Sequence, residues 1–397
     1  MPPATNKQNR KKTIQRFSRP AAAVLLAFAA WSSAARVHGQ NHRSDSSTNH
    51  TGSDWPIFRG NAQLTGNSAS TLPENPELLW TFEISQAIEG SPVIWQESIF
   101  TTSLDSHLYA IALPSGRLLW QYRGEGESKA SPAVHEGVVY FGDESGTLHA
   151  VAAATGKRQW QFQTDAGIIS SANFYQDRVL FGSYDHYLYC LSRSDGSLLW
   201  KIESDGYLHA TPTIVNDHVL IAGCDGFIRV IRLRDGMEIK KIPAGAYVAA
   251  SAAVWDNRAF LGTFANNVLC FNPDTGELIW EYDPPERDFP FFASAAVNDQ
   301  IVVLGGRDKM LHALSPQTGR PLWSYAARAK IDSSPVLAHG RVFAATMSGE
   351  VLAFEPTSGK VTWRFESGSA FVASPAIANG KLVIGSLHGV LYCFGKK

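Results

Sequence analysis

Side chains able to do chemistry recur at one position of this 397-residue chain. Glu89, Lys129, His209 and Asp332 each stand immediately before a small-residue doublet, as in "GSPVIW" after Glu89 and "SSPVLA" after Asp332. Glu127 and Lys330 lie two residues ahead of Lys129 and Asp332, on the same side of an extended chain. The three carboxylates Glu89, Glu127 and Asp332 could serve a cation, and His209 could be catalytic. The plainer reading is that the carboxylates are solvated or paired with Lys129 and Lys330, and that His209 and His388 are single histidines facing solvent on loops. No nucleophile elbow, phosphate-binding glycine loop or zinc-ligand spacing occurs. "GGRDKMLHAL" is chemically rich, but its Gly, Arg and Asp fall where turn chemistry accounts for them.

What positions these residues is a repeat. Trp80, Trp120, Trp160, Trp200, Trp280, Trp323 and Trp363 recur, and from Trp120 onward each has a Gly four residues earlier. These are Gly116, Gly156, Gly196, Gly276, Gly319 and Gly359, which with Gly236 between the third and fourth are spaced by 40 residues with one step of 43. The fourth repeat keeps Gly236 but places Lys240 at the Trp position. Three short apolar segments recur in phase, of the types "ASPAVH", "VVYFG" and "TLHAV", each bounded by Gly, Asp, Asn or Ser. That is strand and hairpin grammar, and four strands per ~40 residues is the signature of a propeller blade. Eight copies predict an all-β, eight-bladed β-propeller over residues 78–397. Its last copy lacks a Trp strand and "LLWTFEI" supplies one without a blade, so strands from both termini close the ring. Gly serves the turn between third and fourth strands, and Trp covers the joint between neighbouring blades.

The chain is 44% hydrophobic and 18% charged, which excludes general disorder. Residues 1–40 hold seven Lys or Arg and no acid, leaving 28 basic and 36 acidic side chains in the remainder. An acidic body argues against nucleic-acid binding, which needs a basic face. The basic stretch ending near Arg19, the apolar run over 21–31 and the small residues after it read as a signal peptide over 1–40. The run is too short to span a bilayer, and no Cys follows it to carry a lipid anchor. Residues 41–53 read as a flexible linker and 54–77 as an entry segment. Four Cys show no metal spacing. Cys190, Cys270 and Cys393 take a position where other repeats carry Ala or Val and act as small hydrophobes; a Cys190–Cys224 bond remains possible.

"DTGELIWEY" and "ASPAVHEGVVYFGDESGTLHAV" resemble the PQQ-like β-propeller repeats shared by quinoprotein alcohol dehydrogenases and by the propeller lipoprotein of the outer-membrane β-barrel assembly machinery. The resemblance spans about 54–395. "DWPIFRGNAQLTGNS" looks like the entry segment ahead of this propeller in many exported bacterial proteins. One implication is a PQQ-dependent dehydrogenase, with quinone and calcium in the axial funnel, an Asp base and a vicinal disulfide against the cofactor. This chain has no adjacent Cys pair, and its blades are near-minimal with a largest insertion of three residues. The other implication is an exported, non-enzymatic scaffold in the periplasm or envelope, without cofactor or metal and monomeric, that binds protein partners and assists outer-membrane protein assembly. Its partner surface is expected at the channel mouth, where Tyr207, Tyr247, Arg287, Phe289, Phe291 and Phe292 gather on blades four to six. The same rings could instead pack together and plug the channel.

Overall fold

The computed structural model describes residues 54–285 and 289–397. The segments read as signal peptide and linker, and Arg287, lie outside the described residues. Eight four-stranded antiparallel sheets form the blades of a propeller. In blade one, Val93–Trp95, Ser98–Thr102, His107–Ala112 and Leu118–Arg123 run from the axis outward. Middle strands are continuous apolar runs because neighbouring blades cover both their faces. Outermost strands such as Leu118–Arg123 alternate exposed and half-buried residues, since only one face packs. Blade eight takes its outermost strand from the other end of the chain. Glu77–Glu83 pairs antiparallel with Val390–Gly395, in a register that sets Trp80 opposite Cys393.

The repeated Gly and Trp meet across the joints between blades. Gly116 has φ of 69°, and a Cβ there would stand 2.6 Å from the Trp80 ring. Trp80 Nε1 also donates to the Leu113 carbonyl at 3.1 Å. The same pair of contacts joins Trp120 to Gly156 and Ala153, Trp160 to Gly196 and Arg193, and Trp200 to Gly236 and Leu233. It returns at Trp280 with Gly319 and Pro316, and at Trp323 with Gly359 and Pro356. Trp363 packs against Phe394 of blade eight, ring centroids 5.4 Å apart. Only Gly supplies both the left-handed turn and the room for an indole. Between blades four and five the Lys240 stem and Ile242 lie over Gly276 instead.

Cys190, Cys270 and Cys393 stand opposite Trp200, Trp280 and Trp80 in their strand registers. Burial pushes each of these thiols up to about 12. All four cysteines are free, so the Cys190–Cys224 bond is not formed.

The entry segment circles one end of the axis and is hydrogen-bonded to blade after blade. Trp55 exchanges backbone bonds with Ile94 of blade one, and the Pro56 carbonyl accepts from Val134 of blade two. The Ala62 carbonyl accepts from the Asn173 side chain of blade three and the Ile214 N–H of blade four. Gln63, Thr65 and Gly66 continue to Val254, Val297 and Leu337 of blades five to seven, and Ser68 Oγ donates to Ile377 of blade eight. Eight blades are thereby tied by about fifteen residues of chain. Within this belt Arg59 is 1% exposed and donates to the Ala295 carbonyl at 2.9 Å. Its Nε and Nη1 have no partner among the described residues, and burial lowers its pKa to about 9.

Candidate functional site at the channel mouth

At the opposite end the axis opens into a cavity of about 450 Å³. The residue before each small doublet lines it, which brings Glu89, Lys129, His209 and Asp332 to one wall together with Ile169, Ala249, Phe292 and Val372. Period-two alternation fixes this position. One backbone bond per blade then ties the two loops at this end, as in Glu144 N–H to the Glu127 carbonyl and Cys224 N–H to the Tyr207 carbonyl. Phe58 of the entry segment also lines the cavity.

Below the rim runs a belt of eight hydroxyls from the second residue of each doublet, Ser91 through Ser374 with Thr211 in blade four. They link blades head to tail. Ser251 N–H donates to Ser294 Oγ at 3.0 Å, Ser294 N–H to Ser334 Oγ at 2.9 Å, Ser334 N–H to Ser374 Oγ at 2.9 Å and Ser374 N–H to Ser91 Oγ at 2.8 Å. The eightfold recurrence of Ser or Thr was visible in the sequence, but a one-residue signal inside a small-residue strand reads as packing until the ring is seen.

The rim charges are mostly spent on one another. Lys129 Nζ lies 2.6 Å from Glu144, whose hydrogen bond raises the ammonium pKa. Asp332 is buried between Arg307 at 2.8 Å and Lys330 at 3.0 Å. Burial, ahead of the opposing pull of Lys129, raises the Glu89 carboxyl pKa. Glu127 is exposed. No three His, Cys, Asp or Glu side chains are placed to hold a metal among the described residues. His209 corrects the solvent-facing expectation. It stands in the channel wall, its Nδ1 2.9 Å from the Tyr184 hydroxyl, and burial lowers its pKa to about 4.

The aromatic set divides. Tyr207, Tyr247 and Phe289 are 50%, 61% and 51% exposed. Phe292 is half-buried, 5.5 Å from the His209 ring, with the Arg307 guanidinium over its face at 4.5 Å. Phe291 is not a rim residue. At 1% exposure it belongs to the core between blades five and six, where a Cβ on Gly262 would collide with it. It holds the place of the buried Ile88, Ile168, Leu208, Val248, Ile331 and Phe371 in other blades, and period-two alternation sets it opposite Phe292. Tyr184 and Arg307 were missed; both lie two residues past the end of a second strand, and Tyr184 stacks on Tyr207 at 5.0 Å.

A quinone with its calcium requires acidic and amide ligands and, for its own carboxylates, free cations. The cavity wall carries no Asn or Gln among the described residues, one of its two carboxylates is engaged by Arg307 and Lys330, and Lys129 is engaged by Glu144. These residues do not fit that group.

Fold and mouth together define a PQQ-like eight-bladed β-propeller. The chain belongs to the PQQ_2 family, whose model, described as outer membrane protein assembly factor BamB, matches residues 63–172, 163–286 and 264–396. No curated protein gives a match. Among solved structures, BamB from Moraxella catarrhalis superposes with a TM-score of 0.69 at 18% identity, over 81% of this chain and 100% of that one. Quinohemoprotein alcohol dehydrogenase from Comamonas testosteroni gives 0.76 at 14% identity over 87% and 81%, and a europium-containing methanol dehydrogenase gives 0.76 at 14% over 87% and 99%. At these identities the likeness carries the fold alone.

Proposed function

We propose that this chain is an exported, non-enzymatic propeller that docks a protein partner in the cell envelope and assists outer-membrane protein assembly. The observation that carries the reading is the run of exposed rings Tyr207, Tyr247 and Phe289 on three consecutive blades of the mouth. The position of Tyr207 and Tyr247 holds Ala87, Glu127, Gly167, Pro290, Lys330 and Ala370 in the other blades, with Phe289 next to Pro290, so the exposed rings are confined to one sector. Rigid aromatic groups on short loops bury large area at little entropic cost, which suits them as interface anchors. The family description supports the partner class, and the basic and apolar segments of residues 1–40 support export. No helix among the described residues is long and apolar enough to cross a membrane.

A photocrosslinking residue at Tyr247 in the producing cell tests this. A discrete adduct with an envelope protein, lost when Tyr207 and Phe289 become Ser, is expected. Adduct formation that is equally strong from the outer-strand position Leu199 would refute the mouth as the docking surface.

A further inference from the structure

On the face opposite the mouth, the inner hairpins of blades four and five and the entry segment bound a groove of about 500 Å³. Trp255, 37% exposed, forms part of its wall. Gln63 comes from the entry segment, Asn216 and Asn257 from the two hairpin turns, and Asp274 from the outer turn of blade five. These four side chains are exposed and make no hydrogen bond to another described residue. Blades one, two, three and five end their first strand in Trp95, His135, Tyr175 and Trp255, whereas blade four ends in Val215, as blades seven and eight end in Ala338 and Ala378, so no ring from blade four stands beside Trp255. Asp274 lies in the same turn as Gly276, whose indole cover is replaced by Lys240.

Chemistry selects the ligand. No Lys, Arg or His lines the groove, so an anion would meet acceptors without a cation. One of the two lining carboxylates, Asp256, is held by Arg258 at 3.0 Å, so a metal would find little to bind. An apolar peptide would leave three amides unpaired, at a cost of about 1–3 kcal/mol for each one buried. Amides donate and accept at once, as sugar hydroxyls do, and an exposed indole offers a flat apolar surface for the C–H face of a pyranose. Asn216 and Asn257 have φ of 53° in two-residue hairpin turns. Asn tolerates that conformation, and the tight turns hold both amides at the groove before any ligand arrives. We infer that this groove binds a neutral oligosaccharide, with Trp255 as stacking platform and Gln63, Asn216, Asn257 and Asp274 as its hydrogen-bonding wall.

The test is calorimetric titration of the full chain with cellotetraose, maltotetraose and the tetramer of N-acetylglucosamine. Saturable heat with at least one is expected, weakened about tenfold or more by Trp255→Ala and blocked by Val215→Trp, which fills the groove, while Tyr247→Ser at the mouth leaves it unchanged. Asn257→Ala, an exposed substitution, serves if Val215→Trp does not fold. Absence of saturable heat with all three sugars up to about 10 mM, or binding undiminished in Trp255→Ala, overturns the inference. Binding lost only in Tyr247→Ser overturns it too, by moving the sugar to the mouth.

Discussion

Lys240 Nζ donates to the Thr275 carbonyl oxygen at 2.7 Å, across the joint between blades four and five. In six other joints an indole N–H makes the corresponding inter-blade bond and its ring covers a Gly. Lysine bonds the carbonyl one residue before the turn glycine instead of three, and lays its alkyl stem over Gly276, but removes the ring's buried area. Trp280→Ala is therefore expected to cost ~3–5 kcal/mol, and Lys240→Ala about 1 kcal/mol. Chemical denaturation of the two variants, followed by far-UV circular dichroism, measures the difference; equal losses would mean that Lys240 seals its joint as well as Trp does.

Ring closure depends on Val390–Gly395 pairing with Glu77–Glu83. Deleting residues 390–397 leaves blade eight without its third strand and the entry-side strand without a partner, exposing edges that template association. Size-exclusion chromatography with light scattering should show aggregates for that deletion and unchanged behaviour when only the exposed Lys396 and Lys397 are removed.

Blade number, strand order and closure were legible because each rests on local pattern repeated eight times. The path of the entry segment was not, since its partners lie from 39 residues away at Ile94 to 309 away at Ile377 and no short-range period encodes them. At the mouth, alternation placed Glu89, Lys129, His209 and Asp332 on the cavity wall. The same alternation sets Phe291 opposite Phe292, on the buried face with Leu208 and Val248, and counting it with the rim aromatics went against that phase. Pairing was legible in part: Lys330 was expected to pair with a rim carboxylate and does pair with Asp332, whereas Arg307, 25 residues earlier, emerged only in the fold.

Tyr207→Ser with Tyr247→Ser should change stability by less than about 0.5 kcal/mol, because both rings are exposed. The same pair should abolish the adduct formed from a photocrosslinking residue placed at Phe289. Phe291→Ser is expected to cost ~3–5 kcal/mol through a core cavity. Thermal unfolding and crosslinking on the same samples separate the two effects; a strongly destabilised double Tyr variant would make those rings a plug for the channel.

Titrating the protein with PQQ and Ca²⁺ should give no saturable heat, and a dye-linked alcohol oxidation assay no turnover. The rim offers no amide ligand among the described residues, and Asp332 and Lys129 are already paired. Micromolar binding with substrate-dependent dye reduction would establish the dehydrogenase reading, and Glu89 and Asp332 would be the first residues to substitute.

His209 gives the channel wall a pH signature whose sign follows from its burial. Its folded-state pKa is lowered to about 4, with desolvation the main cause and Lys129 adding to it. The unfolded imidazole takes up a proton near its usual ~6.5, so between these values the unfolded chain binds more protons. Stability therefore falls as pH drops from about 6.5 toward 4, and this contribution is flat above that window. Because the ring is partly open to the cavity, a loss of roughly 2 kcal/mol is expected rather than the larger figure a fully sealed site would give. Denaturation midpoints of the native chain and His209→Gln across this range measure it: the variant should lack the slope, and parallel curves would place the imidazole in water.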